Sequence, residues 1–132
     1  MTILIFHAGM MTIAFLLLCS ALWVARFYRK SGAWLRVHRS LAVAGCGSVW
    51  LGFILALIMR YMDDGEHFRI LHAQFGIIVL LFVSWTPAIG YSTLRRVRAH
   101  MRAAMLHRWS GRATVTISLL TIISGLFRVL TY

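Results

Sequence analysis

The sequence predicts an all-α membrane protein, a four-transmembrane-helix bundle with both termini on the non-cytoplasmic side. Three observations carry this. Hydrophobic residues make up 61% of the 132-residue chain and charged residues 13%, far from a soluble average. Four long apolar runs hold nearly all of that excess, each opened by a histidine and closed by an arginine: His7 to Arg26, His38 to Arg60, His72 to Arg95 and His107 to Arg128. The intervals are 19, 22, 23 and 21 residues, or roughly 28–35 Å of helix at about 1.5 Å per residue, against a hydrocarbon core about 30 Å thick.

Taken in order, the spans run over about 3–25, 37–59, 68–94 and 105–127, and the whole chain, 1–132, forms a single domain. The first run is too long for a signal-peptide core, lacks a basic start and ends in arginine rather than a cleavage site. A basic loop follows with Arg26, Arg29, Lys30, Arg36 and Arg39, turning at Ser31-Gly32. The second span contains Gly45, Gly47 and Gly52, which permit close helix approach. A short connection, Asp63-Asp64-Gly65-Glu66, holds every acidic residue. The third span includes Pro87, an expected kink that membranes tolerate when neighbours satisfy the freed carbonyl. A second basic loop carries Arg95, Arg96, Arg98, Arg102, Arg108 and Arg112, and the fourth span ends the chain. Cys19 and Cys46 fall inside spans as small packing residues, with no disulfide framework and no Cys-x-x-Cys-His for covalent haem.

Charge sets the topology. Eleven of the fourteen basic residues lie in the two basic loops, leaving Arg60, Arg69 and Arg128 for the other side. The positive-inside rule puts both basic loops in the cytoplasm or its equivalent and the chain in the membrane as an integral, multi-pass protein. The net charge of +11 thus belongs to lipid headgroups and topology, and nucleic acid is not expected as a partner.

That topology sorts the boundary histidines by depth. His7 and His72 begin spans on the outer side, and His38 and His107 begin spans on the inner side. Each pair joins alternate helices, the diagonal partners of a four-helix bundle. Two imidazoles facing across a bundle axis supply the two axial nitrogens of a b-type haem, so two haem b groups are expected, one per leaflet. Eighteen residues beyond each histidine, five turns along the same face, stand Ala25, Ala56, Gly90 and Gly125. Gly45, Gly52, Gly76 and Gly111 lie on the same faces and are expected to leave room for a macrocycle. Arg36, Arg39, Arg108 and Arg112 ring the inner pair, where guanidinium groups can pair with haem propionates or hold an anionic reductant. His67 and His100 are read as loop residues in solvent, and zinc is not expected because the pairs are too far apart for one four-ligand site.

The ordered motifs His7-Ala8-Gly9, Ala25-Arg26-Phe27-Tyr28-Arg29, Trp34-Leu35-Arg36-Val37-His38, His72-Ala73-Gln74-Phe75-Gly76 and Leu106-His107-Arg108-Trp109-Ser110-Gly111 resemble the four-helix core of the eukaryotic-type cytochrome b561 family. The resemblance implies two b haems on His7, His38, His72 and His107. It also implies transmembrane electron transfer, often from ascorbate to an oxidised ascorbate radical or ferric iron. Family members commonly have six spans or an attached soluble domain, so a bare core also fits one subunit of a larger assembly or a homodimer. Two other readings stay open. One is a quinone-reactive di-haem subunit taking electrons from quinol, with Gln74, Tyr91 and Trp109 as polar candidates. The other is a haem-free structural subunit.

Overall fold

The computed structural model describes residues 2–62, 71–95 and 100–131. Among these, four α-helices follow one another: α1 (Thr2–Phe27), α2 (Trp34–Met62), α3 (Leu71–Arg95) and α4 (His100–Thr131). The acidic connection at 63–66, His67, Arg69, Arg96 and Arg98 lie outside the described residues. The helices are 26, 29, 25 and 32 residues long, and all four are apolar and long enough to cross a membrane. A helix satisfies its own backbone hydrogen bonds, which is what the hydrocarbon core demands.

α1, α2 and α4 outrun the apolar stretches that announced them. α4 starts at His100, so His100, Arg102, Arg108 and Arg112 stand on helix and not in a loop, while Arg36 and Arg39 lie in the first turns of α2. Hydropathy marks where lipid begins, whereas the i→i−4 ladder runs on into the headgroup layer, where arginine is a good helix former with a long stem. α3 continues as helix through Pro87. Between α1 and α2 a tight turn is closed by Ser31 N–H on Tyr28 O (2.9 Å) and Trp34 N–H on Ser31 O (3.2 Å). Arg29 Nε–H donates to Ala25 O at 2.7 Å, supplying a cation to the carbonyl end of α1.

The architecture is an up-down-up-down bundle of two hairpins. α1 packs closely along α2 and α3 along α4, while α1–α4 and α2–α3 meet more sparsely, and the diagonals touch least. One rule describes its core. Every buried residue among those described stands 7, 11 or 14 positions beyond the histidine that opens its helix. These are Ala14, Leu18 and Ala21 on α1, Gly45, Val49 and Gly52 on α2, Val79 and Val83 on α3, and Thr114, Ser118 and Thr121 on α4. Thr86 completes the pattern and is half-buried. Steps of four and three residues make a continuous seam on each helix. The seam residues are small or β-branched except Leu18, as expected where packing rather than water exclusion holds helices together. Large side chains such as Leu16, Val43, Trp85 and Phe127 point outward, where acyl chains solvate them.

Polar groups in the seam are mostly satisfied locally. Thr114 Oγ1–H donates to Ser110 O and Thr121 Oγ1–H to Ile117 O, each at 2.8 Å, the back-bonding that lets threonine sit inside a helix. Ser118 Oγ is buried, with no hydrogen-bond partner among the described residues. Gly45 and Gly52 on α2 face side chains of α1 at close range. A Cβ on Gly45 would lie 2.9 Å from Leu18 Cγ, and one on Gly52 would lie 2.6 Å from Met11 Sδ. The thioether is the flexible end of its chain, but Leu18 is branched and buried.

Gly45→Ala is therefore expected to destabilise the bundle by about 1–3 kcal/mol through overpacking. Ser118→Ala should stabilise it by roughly 1 kcal/mol by removing an unpaired hydroxyl. Reversible unfolding in mixed micelles checks both signs.

Candidate functional site

Each of the four histidines sits near the start of its helix, half-buried at the seam. In an antiparallel hairpin, the carbonyls of the neighbouring helix point toward the end where that histidine stands, since helical C=O groups face the C-terminus. The histidines use them. His7 Nδ1 lies 2.7 Å from Gly52 O, and His38 Nδ1 lies 2.9 Å from Ala21 O. In the other hairpin, His72 Nδ1 lies 2.9 Å from Thr121 O and His107 Nδ1 lies 3.0 Å from Thr86 O. A carbonyl only accepts, so Nδ1 carries the proton in all four rings and Nε2 keeps its lone pair.

These contacts have a common spacing. Gly52, Ala21, Thr121 and Thr86 are each 14 residues beyond the histidine of their own helix. Within a hairpin the two histidines are therefore related by an approximate twofold, each bonded to the backbone of the other's helix. The carbonyl groups have a second acceptor lobe beyond their helical bond, so the ladder is kept. Ser124 Oγ stands 3.5 Å from His72 Nδ1 and donates to Thr121 O at 2.9 Å.

Across the bundle the rings meet in diagonal pairs. His7 and His72 have centroids 6.2 Å apart with planes at 80°, and His38 and His107 are 6.1 Å apart at 89°. Two trans imidazoles on one metal have centroids about 6 Å apart, because each ring nitrogen sits about 2 Å from the metal and about 1 Å from its own ring centre. The spacing, the proton on Nδ1 and the free Nε2 fit axial ligation of a haem iron at each end. Because each ring bonds the backbone at position 14 of the neighbouring helix, the two levels lie four to five turns apart, roughly 21–27 Å along the axis. Among the described residues, no group of three or more His, Cys, Asp or Glu is placed to hold a metal ion, so each site consists of two imidazoles.

The small residues divide into two kinds. Gly76 and Gly111, one turn inward of His72 and His107, open onto space. A Cβ on Gly76 would meet nothing within 4 Å, and one on Gly111 only Thr86 Cγ2 at 4.0 Å. These two positions suit the face of a flat macrocycle. Gly45 and Gly52 instead face the side chains of α1. Gly90 and Gly125 do not face open space either, because each abuts an imidazole of the adjacent helix. Five-turn spacing correctly put them at the ends of the histidine faces, but it carried no information on which neighbour fills the gap.

Arg36, Arg39, Arg108 and Arg112 cluster at the His38–His107 end and are all exposed. The Arg112 guanidinium carbon sits 5.2 Å from the centre of the Trp109 ring, a cation–π contact on the outer surface. Two groups escaped sequence reasoning. One is Trp34, whose ring centre is 6.4 Å from that of His38 at 39°, with the Arg29 guanidinium carbon 5.8 Å from the indole centre. The other is the set of four accepting carbonyls, of Ala21, Gly52, Thr86 and Thr121, which the 14-residue spacing could have flagged but which no side chain announces, since every residue carries a carbonyl.

A family model described as eukaryotic cytochrome b561 matches residues 6–132, a stretch that includes all four histidines. No curated protein and no solved structure matches the chain.

The diagonal arrangement makes a pairing prediction. His38→Ala or His107→Ala should remove the same bound haem and leave the other, and His7→Ala or His72→Ala should do the reverse. Haem titration of the four single variants decides it, and the pairing is wrong if His38→Ala and His72→Ala remove the same one.

Proposed function

The chain belongs to the eukaryotic cytochrome b561 family, a membership that implies haem b binding and electron transfer across a membrane, and from it we propose a two-site reading. His7 with His72 and His38 with His107 each hold one b haem, one per leaflet, and electrons cross from a cytoplasmic-side or membrane donor to an acceptor on the opposite side. The observation that carries this is the two imidazole pairs, 6.2 and 6.1 Å between centroids, each ring pinned through Nδ1 by a backbone carbonyl. A haem held by these imidazoles would supply a one-electron couple.

The residues around it do the rest. Each Nδ1–H···O=C bond fixes the tautomer, stops the ring from turning and makes Nε2 a stronger donor. Gly76 and Gly111 leave the inward side clear. The buried seam residues fill the space between the two levels. Arg36, Arg39, Arg108 and Arg112 put positive charge at one end, suited to propionates or to an anionic reductant such as ascorbate. By the positive-inside rule that end faces the cytoplasm. Quinol is the alternative donor. Gln74, Tyr91 and Trp109 are each exposed, Gln74 toward the His72 end and Tyr91 and Trp109 toward the His107 end, where a lipid-phase carrier could reach them. Comparing ascorbate with quinol as reductant in proteoliposomes separates the two.

A pyridine haemochrome assay on the purified, folded chain should find two b haems per chain, and none would end the proposal. Arg108→Gln should lower the potential of the haem at its end while keeping occupancy, because removing a positive charge favours the ferric state. The shift corresponds to roughly the 0.2–1 kcal/mol of an exposed charge, and redox titration measures it.

A further inference from the structure

Gly90 on α3 and Gly125 on α4 are each 18 residues past their own helix's histidine, yet each is occupied by the ring of the other. A Cβ on Gly90 would lie 2.8 Å from His107 Cε1 and 3.0 Å from its Nδ1, and one on Gly125 would lie 2.7 Å from His72 Cε1 and 2.8 Å from its Nδ1. Carbon atoms do not approach so closely, and in most contexts an imidazole would swing aside. Here the ring is held twice. His107 Nδ1–H is bonded to Thr86 O, one turn before Gly90, and its ring faces His38 at 6.1 Å. His72 is likewise held by Thr121 O, one turn before Gly125, and faces His7 at 6.2 Å. Turning either ring away from an added methyl breaks the carbonyl bond, the diagonal alignment, or both.

We propose that Gly90 and Gly125 are crossed positioning residues, each setting the axial imidazole contributed by the adjacent helix, so that α3 positions His107 and α4 positions His72. The demand falls on one hairpin only. The equivalent positions in α1 and α2 are Ala25 and Ala56, which carry the methyl group that Gly90 and Gly125 lack. Each diagonal pair thus combines one ligand from a glycine-cradled hairpin, His72 or His107, with one from an alanine-faced hairpin, His7 or His38. The inference rests on the haem reading for its consequence and on the apoprotein geometry for the contact, so the two can be tested apart.

The contact is tested in the haem-free chain by a double-mutant cycle on stability. Gly90→Ala should destabilise the chain when His107 is present and have no effect in the His107→Ala background, where the ring it strikes is gone. Gly125→Ala should behave the same way with His72. An equal loss with and without the histidine, or no loss in either, overturns the proposal. The consequence is tested in single-site backgrounds. With His7→Ala, only the His38–His107 site remains, and Gly90→Ala should weaken haem binding there by about 10–100-fold, the usual effect of disturbing a ligand's supporting contacts, and shift the low-spin electron paramagnetic resonance signal. With His38→Ala, the remaining His7–His72 site should be indifferent to Gly90→Ala and sensitive to Gly125→Ala. Unchanged binding in the sensitive combinations, or equal loss in both backgrounds, overturns it. If neither background binds haem although His107→Ala and the parent chain are folded, the haem reading fails, and the stability cycle still decides the contact.

Discussion

The bundle depends on a reciprocal hydrogen bond. In each hairpin, the histidine at the start of one helix donates Nδ1–H to the carbonyl 14 residues past the histidine of the other. An imidazole half-buried in an apolar bundle needs a partner for its N–H, and an antiparallel neighbour presents its backbone carbonyls in the right direction. Satisfying both rings at once sets the stagger of the two helices, because sliding one by a turn would misplace both bonds. Once the stagger is set, each ring meets its counterpart from the opposite hairpin across the axis.

The core follows from that stagger. Buried residues at 7, 11 and 14 beyond each histidine lie between the two ring levels and carry the contacts that hold the helices together. Two kinds of surface are used. In α1–α2, glycines at 45 and 52 admit the side chains of Leu18 and Met11. In α3–α4, the seam is Val79, Val83 and a line of hydroxyls at 114, 118 and 121, and the glycines have moved to 90 and 125, beside the rings. The same ring geometry is therefore reached by two different packings. In lipid there is no large gain from hiding apolar surface between helices, so close contact and local hydroxyl bonding decide which packing each pair adopts.

Charge plays a peripheral part. The arginines at the His38–His107 end are exposed, Arg36 and Arg39 on the first turns of α2 and Arg108 and Arg112 in the third and fourth turns of α4. One of them, Arg112, is turned onto the exposed Trp109 indole. Their number gives one end of the bundle an anion-attracting surface, while the rings themselves are placed by neutral backbone groups.

Much of this was legible in the residues. Four runs of bilayer length, a histidine at the same place in each, and alternating depth are local properties of hydropathy and helical period, and they determined four spans and the two diagonal pairs of histidines as the candidate site. Helix ends were less legible, since the hydrogen-bond ladder carries α4 back to His100 past the point where hydropathy falls. What only the tertiary structure decided is which neighbour each small residue meets. Gly76, Gly45 and Gly90 look alike in sequence, yet one opens onto space, one admits Leu18 and one lies beneath His107. In a membrane the inner and outer faces of a helix are both apolar, so periodicity does not reveal the stagger between helices, and a missing side chain says nothing about what approaches it. The stagger comes from satisfying four imidazole N–H groups with carbonyls on other helices, a condition that exists only once those helices are side by side.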